Sequence, residues 1–256
     1  MPVNFGVKFG QFNGALFGNS FSVGGPVTAD GTSGKLVPAN STEWSNFLAN
    51  NSIALGVPQH LYSFQEASGN ALDGIGSTNL TATAITYSKP VTGWSRVAMS
   101  GTGSANSNLT NATYLDTAAN SFLVFMYLRY DAVTVATRGL VTFGSPLLQI
   151  PDNKIRLREG AALASTVNDH STTVHPIVMA FNNLNTTIKM YSDLEKLTIA
   201  YSASSGSGLT LIPSALADPG VSDLIYMTSW GGASAETTDA EIKKLITGLG
   251  YSPPWS

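Results

Sequence analysis

The stretch from Ser171 to Tyr201, STTVHPIVMAFNNLNTTIKMYSDLEKLTIAY, decides the fold. Three runs rich in β-branched and aromatic residues are punctuated at Asn182-Asn183-Leu184-Asn185 and at Ser192-Asp193, which predicts three short strands joined by tight turns. In the third run Leu197, Ile199 and Tyr201 alternate with Lys196, Thr198 and Ala200, the period of two of a strand with one face buried. In the second, Ile188 and Met190 point one way while Thr187, Lys189 and Tyr191 point the other, as in an antiparallel sheet with one side on a core. The first run, 174–181, is apolar on both faces and is expected to lie centrally. Pro176 within it brings no amide donor, which predicts an irregular or bulged strand at that point.

Outward from this meander, strands are expected at 60–64, 80–87, 95–99, 111–114, 121–130, 138–143, 147–150 and 154–158, and after it at 209–212 and 224–229. Runs at this spacing, separated by Gly, Asn, Ser and Pro, predict an all-β fold of two packed antiparallel sheets. The run 122–128 is apolar on both faces, so it should be an inner strand whose outer face is also covered, by the N-terminal arm or helix. A C-terminal helix is predicted over 239–249: Thr238 and Glu241 form a capping box, and Ile242, Leu245, Ile246 and Leu249 form one stripe. A short helix is predicted between 40 and 55, with Asn40 as cap, Glu43 three residues on, and Trp44, Phe47 and Leu48 on one face. Gly56-Val57-Pro58 then breaks it and divides an N-terminal unit, 1–57, from a sandwich, 58–256.

The first 37 or so residues are glycine-rich and nearly uncharged, with Phe5, Phe9, Phe12, Phe17 and Phe21 spaced through them. Each phenylalanine is worth about 1.5–3 kcal/mol on full burial, so this arm is expected to dock, either back on its own sandwich or on a partner. Charged residues make up only 11% of the 256 and the net charge is −3, which leaves no polybasic surface for nucleic acid or anionic lipid. The chain has no cysteine, so disulfides, thiolate nucleophiles and cysteine-held zinc are excluded. The N-terminus lacks the apolar stretch of a secretory signal, and the longest apolar run is far short of a membrane helix.

The segments VHPIVMAFNNLNTTIKMYSDLEKLT, LYSFQEASGNALDGIGSTNLTAT (61–83) and TTDAEIKKLITGLG (237–250) resemble, in that order, the centre, opening and closing helix of the concanavalin A-like lectin and glucanase jelly rolls, laminin-G-like domains included. The glycine-rich leader, STEWSNFLANN and the ending GYSPPWS are similar to proteins encoded by tailed bacteriophages. The resemblance implies a jelly-roll sandwich in a non-enzymatic virion protein (decoration, neck, tail or fibre), anchored through its arm to other virion proteins or to copies of itself. A carbohydrate-binding module for a glycan or host surface is the alternative, and a glycoside hydrolase comes third.

Glucanases of that kind place carboxylates at alternate strand positions, so that acid and nucleophile face one cleft. Here the nearest approach, Asp193-Leu194-Glu195, falls in a predicted turn, which argues against an enzyme. His60 and His170 have no serine or carboxylate at motif spacing, and His175 matches a structural place on a core strand. Tyr191, Tyr201 and Trp230 are candidates for an aromatic platform under a sugar ring, against the commoner reading of core aromatics. No cofactor is expected. Glu66 and Asp73, in the opening motif, match places where relatives sometimes hold Ca²⁺, against the commoner role of turn capping, and Arg156 and Arg158 alternate on one strand as a solvated face.

Overall fold

The computed structural model describes residues 38, 40–91, 94–101, 108–111, 121–130, 138–143, 147–151, 153–182, 186–200, 208–211, 221–228 and 237–256. Along the chain these form α1 (Ser41–Asn50), β1 (Pro58–Tyr62), β2 (Thr81–Thr83), β3 (Ile85–Val91), β4 (Trp94–Gly101), β5 (Asn108–Asn111) and β6 (Phe122–Leu128). Then come β7 (Arg138–Phe143), β8 (Leu147–Ile150), β9 (Arg156–Glu159), β10 (Ala162–Ser165), β11 (His175–Asn182), β12 (Thr187–Tyr191), β13 (Lys196–Ala200), β14 (Leu209–Leu211), β15 (Val221–Thr228) and α2 (Asp239–Gly248). Neither helix is long and apolar enough to cross a membrane.

The strands make two antiparallel sheets, so the chain is an all-β sandwich. One sheet runs β13-β12-β11-β6-β15-β4-β3, and β1 shares the far edge of β15 with β4: Val221 faces Met99, while Leu224 and Ile225 face Tyr62 and Leu61. The other runs β10-β9-β8-β7-β14-β5-β2. The meander is β11, β12 and β13, paired Phe181 to Ile188 and Met190 to Leu197. β11 lies inside its sheet between β12 and β6, as its two apolar faces require.

Pro176 does not bulge the strand. β11 pairs with β6 in unbroken register from His175–Leu128 to Phe181–Phe122, and β12 reaches only Val178. The proline therefore sits where β11 has a neighbour on one side alone, a position in which a missing donor is tolerated. The strand expected over 80–87 is two, β2 and β3, separated by Ala84 at φ +50°. β10 was not expected: its ALAS has too few large apolar residues to stand out, and it forms by pairing back on β9 through Gly160, at φ +55°.

Both faces of β6 are buried because the molecule has a third layer. Phe122, Val124, Met126 and Leu128 enter the core between the sheets with Ile177, Met179, Phe181, Ile188 and Met190. Leu123, Phe125 and Tyr127 point the other way, into a second core with Val178 and Ala180. That second core is closed by Trp44, Phe47 and Leu48 of α1, by Ile242, Leu245 and Ile246 of α2, and by Tyr251 and Trp255 beyond it. The helix at 41–50 thus supplies part of the cover over β6. Both predicted N-caps form: Asn40 Oδ1 accepts from Glu43 N at 3.0 Å and Thr238 Oγ1 from Glu241 N at 3.3 Å. Glu241 then leaves its own helix end, accepting from Ala54 N and from Lys244 Nζ, which ties α2 to the segment after α1.

Candidate functional site

Polar side chains gather in three places among the described residues. The first is the opening loop, 63–80. The side chain of Asp73 is shielded from solvent and its carboxylate gathers the loop: Oδ1 accepts from the amides of Leu61 (3.2 Å), Ile75 (3.1 Å) and Gly76 (2.9 Å), and Oδ2 accepts from Thr78 N (3.2 Å) and meets His60 Nδ1 at 2.6 Å. Burial raises its pKa, but the His60 bond and the three Oδ1 amide bonds outweigh that and hold the carboxyl below its ordinary value. Glu66 Oε1 accepts from Leu72 N at 2.8 Å. Burial, then the Glu66 charge, pushes the Tyr87 phenol up to about 12 while its hydroxyl donates to Gly69 O.

The contacts of Asp73 argue against a Ca²⁺ ligand role for that residue. A cation needs oxygen lone pairs, and those of Asp73 already receive four amide hydrogens and an imidazole, which would repel it. Among the described residues no three His, Asp or Glu side chains converge as a metal site. Asp73 is a turn-building residue, the commoner of the two roles its motif allowed.

The second place lies where the loop 166–174 meets the turn 192–195. His170 Nε2 lies 2.9 Å from Ser192 Oγ, and His170 Nδ1 lies 3.1 Å from Asn168 O, so the neutral ring donates through Nδ1. His175, its ring centroid 5.0 Å from that of His170, meets Asp193 Oδ1 at 2.7 Å and Thr173 Oγ1 at 2.7 Å. Glu195 receives the amides of Val167 (2.9 Å) and Asn168 (2.7 Å) and so pins one loop to the other. A serine against a histidine at this distance has the outline of a nucleophile and base, but both residues are fully buried. The Ser192 hydroxyl already accepts from the amides of Leu194 and Glu195, both at 3.1 Å, and the far nitrogen of the imidazole faces a carbonyl where a triad has a carboxylate. Burial, and then His175, lowers the His170 pKa, so the ring is held neutral. The arrangement is a latch between loops.

The third place is Asp239, at the start of α2. Lys189 Nζ (2.9 Å), Lys196 Nζ (2.7 Å) and the Tyr191 hydroxyl (2.9 Å) all donate to it. Burial raises its pKa, and the bonds from Lys196, Lys189 and Tyr191 outweigh that and bring it to about 2. Here the aromatic-platform reading of Tyr191 is corrected: the ring is fully buried, 5.2 Å from that of Trp255, and belongs to the core under the helices. Trp255 Nε1 donates to Ser192 O at 2.8 Å, which joins the tail to the histidine latch. An open depression between the helices is lined by Asn51, Lys243, Lys244 and Gly248, but its lysines already donate to Trp255 O, Ser52 O and Glu241. Tyr201, Trp230 and the arm residues Phe5, Phe9, Phe12, Phe17 and Phe21 lie outside the described residues.

Sequence reasoning missed the His60–Asp73, His170–Ser192 and His175–Asp193 pairs, which join residues 13, 22 and 18 positions apart at no motif spacing. The signal available was weak: His60 lies within β1, His170 in the loop before β11 and His175 at the start of β11, and each partner stands in a turn or loop.

No protein-family model matches the sequence, and no curated protein does. Solved structures do share its fold. A Trypanosoma rangeli sialidase in complex with sialic acid superposes with a TM-score of 0.57 at 14% identity, over 80% of this chain and 37% of that one. The same sialidase with the inhibitor DANA gives 0.55 at 14%, over 80% and 36%. A botulinum neurotoxin type C, a toxin whose passage into cells depends upon interaction with two ganglioside molecules, gives 0.50 at 12%, over 80% and 53%. The chain therefore spans little more than a third of the sialidase and about half of the toxin chain, and at these identities the likeness is one of fold: a lectin-like β-sandwich.

Proposed function

We propose that this chain is a non-enzymatic attachment module, a lectin-like sandwich that serves as a structural component of a tailed-phage particle and is held there through its N-terminal arm. The observation that carries the non-enzymatic part is the use made of every polar cluster described above. Asp73, Glu195, Asp239 and the His170–Ser192 pair are spent on backbone amides, lysines and each other inside the fold, and none presents an acid and a base to a common cleft. The virion part is supported by the resemblance of the leader, the first helix segment and the C-terminal tail to phage-encoded proteins, and by the scarcity of charge. A second reading, glycan binding, is favoured by one observation: the sandwich is shared with a toxin that interacts with gangliosides and with a sialidase.

Mass spectrometry and imaging of purified particles test the first reading, with the chain expected in them at fixed copy number. Incubation with a panel of polysaccharides is expected to release no reducing ends. Release that disappears in Glu195→Gln or Glu66→Gln would make the protein a hydrolase and end the non-enzymatic reading.

A further inference from the structure

The helices cover one sheet; the outer face of the other carries a cross-strand row of hydroxyls. Thr81 of β2 stands opposite Thr110 of β5, Thr110 opposite Thr210 of β14, and Thr210 opposite Thr142 of β7. The row continues through Leu147 of β8 to Arg158 of β9, and ends at Leu163 of β10. Its threonines and Arg158 face outward, because Leu109, Val141, Leu157, Leu209 and Leu211 alternate with them and are all fully buried between the sheets. Thr81 and Arg158 are exposed and the other three threonines half-exposed. Four identical β-branched residues directly opposed on four neighbouring strands are not needed for the core, whose contacts lie on the other face.

We propose that this face binds an extended acidic polysaccharide, laid across the strands along the threonine row so that the carboxylates of the sugars over β9 meet its guanidiniums. Three observations lead to that chemistry. Neighbouring strands stand about 4.8 Å apart, close to the advance of one pyranose along an extended glycan, so successive threonine hydroxyls meet successive sugars in step. The charges that these strands turn outward have one sign: Arg156 and Arg158 stand at alternate positions of β9, while the only carboxylate in the seven strands, Glu159, is in phase with buried Leu157. Lastly, the guanidiniums are held in place, Arg156 Nε donating to Ser165 Oγ at 3.1 Å and Arg158 Nε to Gly160 O at 3.1 Å, so their planes are oriented before a ligand arrives. Recognition here uses hydroxyls and guanidiniums rather than stacked rings.

The proposal rests on the reading of the chain as an attachment module, and it is tested on the full chain by affinity electrophoresis in gels holding polygalacturonate, hyaluronan or neutral dextran. At least one acidic polymer is expected to retard the protein, more weakly at high salt, and dextran is not. The paired change Thr110→Val and Thr210→Val keeps β-branched residues on both strands, and Arg158→Gln removes the charge while keeping a polar side chain. Each is expected to raise the dissociation constant at least tenfold with the melting temperature unchanged. No retardation by either acidic polymer overturns the proposal, as does equal retardation by dextran. So does retardation that the threonine changes leave intact, since that is ion exchange on basic residues. A protein that binds equally well in all variants loses this face but remains an attachment module; cleavage of the polymer ends the attachment reading itself.

Discussion

Asp73 and Gly76 form one unit. A Cβ on Gly76 would stand 2.5 Å from Asp73 Oδ2, 3.0 Å from His60 Nδ1 and 3.1 Å from Gln59 O, so any side chain there pushes the carboxylate off the amides it gathers. Gly76→Ala is expected to cost about 1–3 kcal/mol by overpacking, read as a lower midpoint in urea at unchanged slope. His170 makes a second prediction. Its folded pKa lies below the ordinary 6.5, so the unfolded chain binds more protons as the pH falls. The stability it contributes is fully present above 6.5 and is lost as the pH drops from there toward the folded value. The groups facing the ring are His175, Asp193 and Glu195, with Asp169 on its own loop. Melting temperatures measured from pH 7.5 to 5 are expected to fall in the wild type and to fall less steeply in His170→Gln. Parallel profiles would show that another group carries the slope.

At the scale of the element, α2 matters most because it closes the second core and organises the tail. Ile246 is fully buried against β6 and β11 neighbours, so Ile246→Asp places an unpaired carboxylate where no water reaches it. A loss of about 3 kcal/mol or more is expected, measured by thermal melting; an unchanged transition would mean that the helix does not pack on the sheet. Asp239, at the first turn of the same helix, takes two lysines and a tyrosine, and its pKa is brought to about 2 from an unfolded 3.8. Its contribution is therefore present above 3.8 and lost as the pH falls through that value toward 2. It is half-shielded from solvent, so the effect is moderated by screening. Asp239→Asn is expected to flatten the acid limb of the stability profile between those values while leaving the neutral limb's shape unchanged.

For the whole molecule, the central question is what the first 37 residues do. Five phenylalanines in a glycine-rich run cannot form a core alone, because glycine loses much backbone freedom on ordering and buries no side chain. The outer face of β6 is already closed by Trp44, Phe47, Ile242, Leu245, Ile246 and Trp255. Deleting residues 2–37 is therefore expected to leave the melting temperature within about 2 °C and the protein unaggregated in light scattering, while abolishing incorporation into particles. A large drop in stability would show that the arm serves its own sandwich. Full incorporation without it would remove the anchoring role.

Local pattern decided much of this protein. Period-two alternation placed the meander, capping residues placed both helices, and a run apolar on both faces announced that β6 must be covered twice. These are readable because side-chain direction follows from position along a strand or helix. What only the tertiary structure decided was which elements met: that α1 and α2 share the covering of one sheet, and that Tyr191 turns under them. The same holds for the three histidines, which find partners 13 to 22 residues away, and for the four threonines, from strands far apart in the chain, which fall into one row. Register between distant strands is set by the packing of the whole core, and no local window of sequence contains it.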